Sequence, residues 1–231
     1  MADVAAELAV LETPPGVIGV GRHSAPVAIG AVGIRVGISQ TELTYSPDLE
    51  LNKELAMLTV GNKLPQFCVP ACVGSTADDL CEITNETYAG KWLVLLFYPK
   101  DFTFICPTEL VAFGEQLDDF TQREAVVLGG STDNEYSHLA WRQSDPRLND
   151  LPYPLIAAQK LAADLGILDP SEHVCLRATF LVDPEGMIQW VSVNNLNTGR
   201  SVEEVLRVLQ AVQSGELTAC NWQPGQKYVE V

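Results

Sequence analysis

The run KWLVLLFYP, Lys91 to Pro99, continued by KDFTFICPTELVAFGEQLDDF, Lys100 to Phe120, decides the fold. Its first part is a short apolar block with no polar alternation, bounded by Lys91 and Pro99, which is the pattern of a central strand buried on both faces. Its last part sets Leu110, Val111, Phe113, Leu117 and Phe120 at helical spacing behind Pro107 and Glu109. A helix start tolerates a residue without an N–H and favours a negative charge. The spacing predicts a strand over 92–98 and one amphipathic helix over 107–120, with Cys106 at the junction.

Working outward, Ala125 to Ser131 reads as a second buried strand, His138 to Gln143 as a short helix, Pro154 to Ala158 as a short strand and Leu161 to Leu165 as a helical turn or two. Cys175 to Val182 and Met187 to Val193 flank Asp183-Pro184-Glu185-Gly186, whose Pro and Gly positions suit a tight turn, so they are expected to form a hairpin. Ser201 with Glu204 three residues on has the form of a capping box, and Val202, Val205, Leu206, Leu209 and Val212 follow on one helical face. The order of elements is that of an α/β fold of thioredoxin-like type, a central mixed β-sheet flanked by helices on both faces.

The 231 residues allow one catalytic domain with an appendage. Fourteen Lys and Arg against thirty Asp and Glu give a formal charge of −16, which repels phosphate backbones and anionic headgroups, so no nucleic acid partner is expected. The most apolar long stretch, Val17 to Ile38, is interrupted by Arg22, His23 and Arg35 and is not a membrane anchor. Six cysteines are too few for a disulfide-stapled secreted domain, and no signal peptide opens the chain, so a reducing cytoplasm is expected. Residues 1–56 sustain no period and read as an unassigned N-terminal extension, either disordered or the product of an upstream start site. Residues 57–231 form the domain, and most of the acidity lies there.

Cys106 sits where a buried strand meets a helix N-terminus, and there the helix dipole and backbone N–H groups favour thiolate over thiol. The run Pro99-x-x-x-Thr103-x-x-Cys106, within Asp101-Phe102-Thr103-Phe104-Ile105-Cys106-Pro107-Thr108-Glu109, strongly resembles the active-site motif of the peroxiredoxin family. The resemblance extends from about Leu58 through Trp222. It takes in Val126 to Asp133, His138 to Trp141, Leu176 to Asp183 and Thr198 to Glu204, and looks closest to the alkyl hydroperoxide reductase (AhpC/TSA) branch, of the typical 2-Cys type. It implies a thiol-dependent peroxidase acting on hydrogen peroxide and organic hydroperoxides. In it Cys106 attacks the peroxide, Thr103 donates a hydrogen bond to a peroxide oxygen and Arg177 supplies a fixed fork of N–H donors to the thiolate and the departing alkoxide. Pro99 would wall the pocket, and Glu109 with Arg200 would form an ion pair behind it.

A sulfenic acid at Cys106 must be met by a second thiol before it oxidises further. By the same resemblance, Cys220 in Gly215-Glu216-Leu217-Thr218-Ala219-Cys220 is the resolving cysteine on the other subunit of a homodimer, which would assemble into a ring of dimers. The usual position is two residues earlier, where this chain has Thr218, although some actinobacterial-type members carry cysteines at both. The family's sensitive members end in a helix with a Tyr-Phe pair. Its absence after Trp222 implies resistance to overoxidation. No bound cofactor is implied, and the electron donor would be thioredoxin or a dedicated reductase of the same branch. Rival readings are a one-cysteine peroxidase with Cys220 idle and a non-enzymatic holdase; a thioredoxin-type reductase is disfavoured by the lack of Cys-x-x-Cys after the first strand. Cys68, Cys72 and Cys81 match no zinc spacing and no metal is expected. Cys175 is expected in the core, His138 packed near Trp141, and Trp222 anchoring the tail by burying its ring.

Overall fold

The computed structural model describes residues 56–231; the expected extension over 1–56, with the apolar stretch from Val17 to Ile38, lies outside them apart from Ala56. Seven strands form one mixed sheet: β1 (Cys68–Cys72), β2 (Leu80–Thr84), β3 (Trp92–Phe97), β4 (Ala125–Ser131), β5 (Leu155–Ala157), β6 (Arg177–Val182) and β7 (Ile188–Asn194). They are ordered β2-β1-β5-β4-β3-β6-β7. The β3–β4 and β4–β5 pairs are parallel, and the remaining pairs are antiparallel. Among the described residues five α-helices accompany the sheet: α1 (Cys106–Glu115), α2 (Leu117–Thr121), α3 (Glu135–Ser144), α4 (Gln159–Leu165) and α5 (Val202–Ser214).

The apolar block of β3 explains the layering. Side chains alternate across a strand, so Val94, Leu96 and Tyr98 enter one core with Leu110, Phe113, Trp141, Val205 and Leu209. Leu93, Leu95 and Phe97 enter the opposite core with Val69, Leu161, Leu165 and Phe180. Both faces are therefore covered by helices, as the unbroken run demands. Leu95 and Leu96 are completely buried, and truncating either to Ala would cost about 2–5 kcal/mol.

The β6–β7 hairpin turns at Asp183–Gly186, where the Gly186 N–H donates to the Asp183 carbonyl and Gly186 takes φ 82°. Three expectations need correction, and one hairpin was missed. The helix expected over 107–120 breaks at Gln116 (φ −102°, ψ 11°), which lets Phe113 stack on Phe120 with ring centroids 5.8 Å apart. The helix expected from His138 begins at Glu135, because the Asn134 side chain accepts from the Ser137 N–H and caps it. At Ser201 only half of the capping box forms: Ser201 Oγ accepts from the Glu204 N–H, but Glu204 turns to Arg207. The β1–β2 hairpin was not anticipated; Pro70 and Glu82 face each other in it and break any apolar pattern. Trp222 is buried and stacks on Tyr228 at 5.7 Å, its indole N–H donating to the Gln226 carbonyl.

Candidate active site

α1 starts at Cys106, and the residue before it, Ile105, offers no side chain to cap the first turn. Cys106 therefore stands in the first turn, at the positive end of the helix, and Pro107 fits there because a first-turn N–H has no partner within the helix. The loop feeding the helix alternates: Pro99 and Asp101 are buried, Thr103 and Ile105 half-buried, Lys100, Phe102 and Phe104 exposed. A cavity of about 250 Å³ opens beside it, lined by Pro99, Thr103, Phe104, Cys106, Arg177 and Leu196 among others. Lys100 and Glu172, each about half-exposed, also line it and are joined by a 2.6 Å ion pair.

Arg177, the first residue of β6, reaches the sulfur from 71 positions away: its Nη1–H donates to Cys106 Sγ at 3.4 Å. The guanidinium is aimed by two further bonds, Nε–H to the Leu196 carbonyl at 2.7 Å and Nη1–H to Glu109 Oε2 at 2.6 Å. Glu109 holds Arg200 as well, which donates from Nε to Oε1 at 2.8 Å and from Nη2 to Oε2 at 2.9 Å. Arg200 is itself fixed to the Phe97 and Ala178 carbonyls. All three side chains are buried. Burial pushes the Arg200 guanidinium down from its ordinary value, with Glu109 opposing the shift, and an arginine stays charged throughout. Two buried cations and one carboxylate leave one positive charge unmatched beside Cys106 Sγ. That unmatched charge lies where it can meet negative charge developing on the sulfur or on an atom beside it.

The structure thus brings together Cys106, Thr103, Pro99, Arg177, Glu109 and Arg200. Thr103 differs from expectation in one respect: its hydroxyl donates to the Lys100 carbonyl at 2.9 Å. With its proton directed to that carbonyl, the hydroxyl's lone pairs face the cavity side of the loop. Cys220 does not join the group. It is exposed in the turn Ala219–Trp222 and does not line the cavity, whereas Cys106 is fully buried.

Other residues fall as follows. Cys68 and Cys81 are exposed and Cys72 buried, and no metal-holding cluster occurs among the described residues. Cys175 is a core residue just before β6, and burial raises its thiol from 9.0 to about 12. His138 does not simply pack near Trp141; both its ring nitrogens are engaged, with Asp101 and with the Ile156 carbonyl. Sequence reasoning missed Lys100, Glu172, Leu196 and Asn197 in the cavity wall. Lys100 lies within the motif but carries no signal of its own, and Glu172, Leu196 and Asn197 are brought to Cys106 only by the fold.

The family model described as AhpC/TSA family matches residues 60–191. Alkyl hydroperoxide reductase C of Mycolicibacterium smegmatis is 45% identical over 182 residues, covering 74% of this chain and 93% of the relative. A putative peroxiredoxin of Bacillus subtilis, YkuU, is 42% identical over 178 residues, covering 75% and 99%. Among solved structures, the reduced 2-Cys peroxiredoxin of Plasmodium vivax superposes with a TM-score of 0.68 at 36% identity, over 73% of this chain and 91% of that one. Mycobacterium tuberculosis AhpC does so with a TM-score of 0.67 at 41% identity, over 73% and 100%. No helix among the described residues is long and apolar enough to cross a membrane. With a family match over more than half its length and close relatives over three-quarters of it, the chain belongs to the AhpC/TSA family of peroxiredoxins, the thiol-dependent peroxidases.

Proposed function

We propose that Cys106 is the peroxidatic cysteine of a peroxidase that reduces hydrogen peroxide and organic hydroperoxides. The observation that carries this reading is the Arg177 Nη1–Cys106 Sγ contact at the start of α1, inside a cavity roomy enough for more than hydrogen peroxide. The thiolate attacks the peroxide oxygen distal to the organic group; the S–O bond forms as the O–O bond breaks. The electron pair leaves on the alkoxide, which takes up a proton to become an alcohol, or water from hydrogen peroxide. Sulfur is oxidised to the sulfenic acid and the peroxide is reduced. The Arg177 guanidinium meets the negative charge as it moves from sulfur to oxygen, Thr103 Oγ1 accepts from the peroxide O–H, and Pro99 excludes water.

Cys220 is the resolving cysteine in this reading. Its thiol attacks the Cys106 sulfenic acid, forming a disulfide and releasing water. The exposure of Cys220 and its separation from the cavity within one chain favour a partner subunit's Cys220 as the reactant, hence a homodimer and a ring of dimers. An external dithiol, thioredoxin or a dedicated alkyl hydroperoxide reductase partner, then reduces the disulfide. Six unpaired thiols and a cycle that must return to thiol favour a cytoplasmic setting. Stopped-flow mixing of wild type and Cys106→Ser with hydrogen peroxide tests the nucleophile: peroxide loss should vanish in the variant, and undiminished loss refutes the assignment. Cys220→Ser should abolish the inter-chain disulfide on a non-reducing gel; normal turnover of this variant with a dithiol donor would favour direct resolution by the external thiol.

A further inference from the structure

The loop before Cys106 contains a buried carboxylate that the reaction does not use. Asp101 is 6% exposed and is bonded to three elements at once. Its Oδ1 accepts from the Tyr98 hydroxyl at 2.9 Å, at the end of β3. Its Oδ2 faces His138 Nδ1 at 2.8 Å and accepts from Ser137 Oγ at 3.0 Å, both on α3. Its backbone N–H donates to Asp133 Oδ2 at 2.9 Å, just beyond β4, and Ser131 Oγ steadies that carboxylate at 2.8 Å. His138, with no exposed surface, continues the chain to β5, where Nε2 lies 3.1 Å from the Ile156 carbonyl. A carbonyl only accepts, so Nε2 is the donor in that contact, and Nδ1 is the ring nitrogen that faces the Asp101 carboxylate. Burial first, then the charge of Asp101, holds the Tyr98 hydroxyl well above its ordinary value, so it keeps the proton it donates.

The residue after this anchor is unusual. Phe102 takes φ 55°, a left-handed backbone that a bulky side chain rarely adopts, while its exposed ring leans on Trp141 with centroids 6.0 Å apart. Such a conformation persists where the surroundings over-determine it, and such positions concentrate at functional sites. Here it reverses the chain between the fixed Asp101 and Thr103, whose hydroxyl is tied back to Lys100 across the same bend.

We propose that Asp101 and His138 are positioning residues for the peroxidase reaction: they fix the Pro99–Thr103 side of the cavity while the turn carrying Cys106 opens to meet a second thiol. This rests on the reading of Cys106 above. Cys106 is fully buried, so disulfide formation requires its turn to leave, whereas peroxide attack requires Thr103 and Pro99 in place. The anchor separates the two requirements. Loosening it harms attack and does not slow resolution.

Two substitutions at one position separate anchoring from mere packing. In His138→Asn the amide N–H₂ stands near the place of Nδ1 and keeps a donor for Asp101. In His138→Gln it stands near the place of Nε2 and keeps the Ile156 bond while abandoning Asp101. Both lose the ring. Stopped-flow tryptophan fluorescence gives the rate constants for attack by hydrogen peroxide and for disulfide formation, with circular dichroism and thermal melts on the same samples. His138→Gln should lose about tenfold or more in attack, the scale expected for a displaced reacting geometry, with disulfide formation unchanged or faster. His138→Asn should stay within about threefold of wild type. If His138→Gln fails to fold, Tyr98→Phe, which removes one bond to Asp101 and keeps the ring, should show a smaller loss in the same direction. Equal attack rates in the folded His138 variants, an attack rate in Tyr98→Phe equal to wild type, or equal slowing of attack and resolution would overturn the anchor. Peroxide that leaves wild-type Cys106 unoxidised would instead overturn the peroxidase reading, and the anchor with it.

Discussion

Replacing Glu109 with Gln removes the one negative charge shared by Arg177 and Arg200. The carboxylate accepts four N–H groups, from Arg177 Nη1 and Arg200 Nη2 at Oε2, and from Arg200 Nε and the Arg200 backbone at Oε1. An amide has one acceptor end and one donor end. Whichever way Gln turns, its N–H₂ confronts two donors, and the two guanidiniums are left buried with no carboxylate between them. Removing one partner from a buried, hydrogen-bonded ion group costs about 3–5 kcal/mol. For a domain of this size that corresponds to a fall of about 6–20 °C in melting temperature. A thermal melt of reduced Glu109→Gln beside wild type gives the number directly, and stopped-flow peroxide oxidation should slow as Arg177 loses its strongest constraint. A shift under about 2 °C with unchanged peroxide kinetics would refute the reasoning, since it would mean the carboxylate is not the counter-ion on which either arginine depends.

Arg177→Lys should slow peroxide oxidation on the order of 10²-fold or more, because a single ammonium cannot serve Leu196, Glu109 and Cys106 together; stopped-flow at saturating donor checks it. Cys175 should resist alkylation in the native protein while Cys68, Cys81 and Cys220 react, read as mass increments before and after denaturation. Its thiol is raised from 9.0 to about 12, so the unfolded chain loses this proton at lower pH than the folded one. Stability from this group is intact below pH 9 and is lost as pH climbs toward about 12; Cys175→Ala should melt with a shallower pH dependence over that window.

What could be read from the sequence was what is local or doubly buried. β3 announced itself because a strand covered on both faces has no polar positions, and Cys106 because the strand, the loop and the helix start that place it are contiguous. The hairpin of β1 and β2 stayed hidden, since Cys68, Pro70, Cys81 and Glu82 interrupt both its strands and only pairing defines it. Arg177 was visible through resemblance alone; spacing says nothing about a contact across 71 residues. The partners of Asp101 on α3 and beyond β4 converge only when the sheet is assembled. The break at Gln116 accompanies the stacking of Phe113 on Phe120, which a helical wheel does not reveal.

Glu109 lies on the same helix as Cys106, three residues further on, and its bonds to Arg177 and Arg200 make it a stop for unwinding. If α1 frays only as far as that stop, Cys106 swings on a leash of three residues, and a fully extended chain gives its Cα a reach of about 11 Å from that of Glu109. Disulfide-bonded Cα atoms sit about 6 Å apart. Any thiol that resolves Cys106 must therefore bring its own Cα to within about 17 Å of the Glu109 Cα. The ion group behind the sulfur thus draws the sphere inside which the chain's partner cysteine has to arrive.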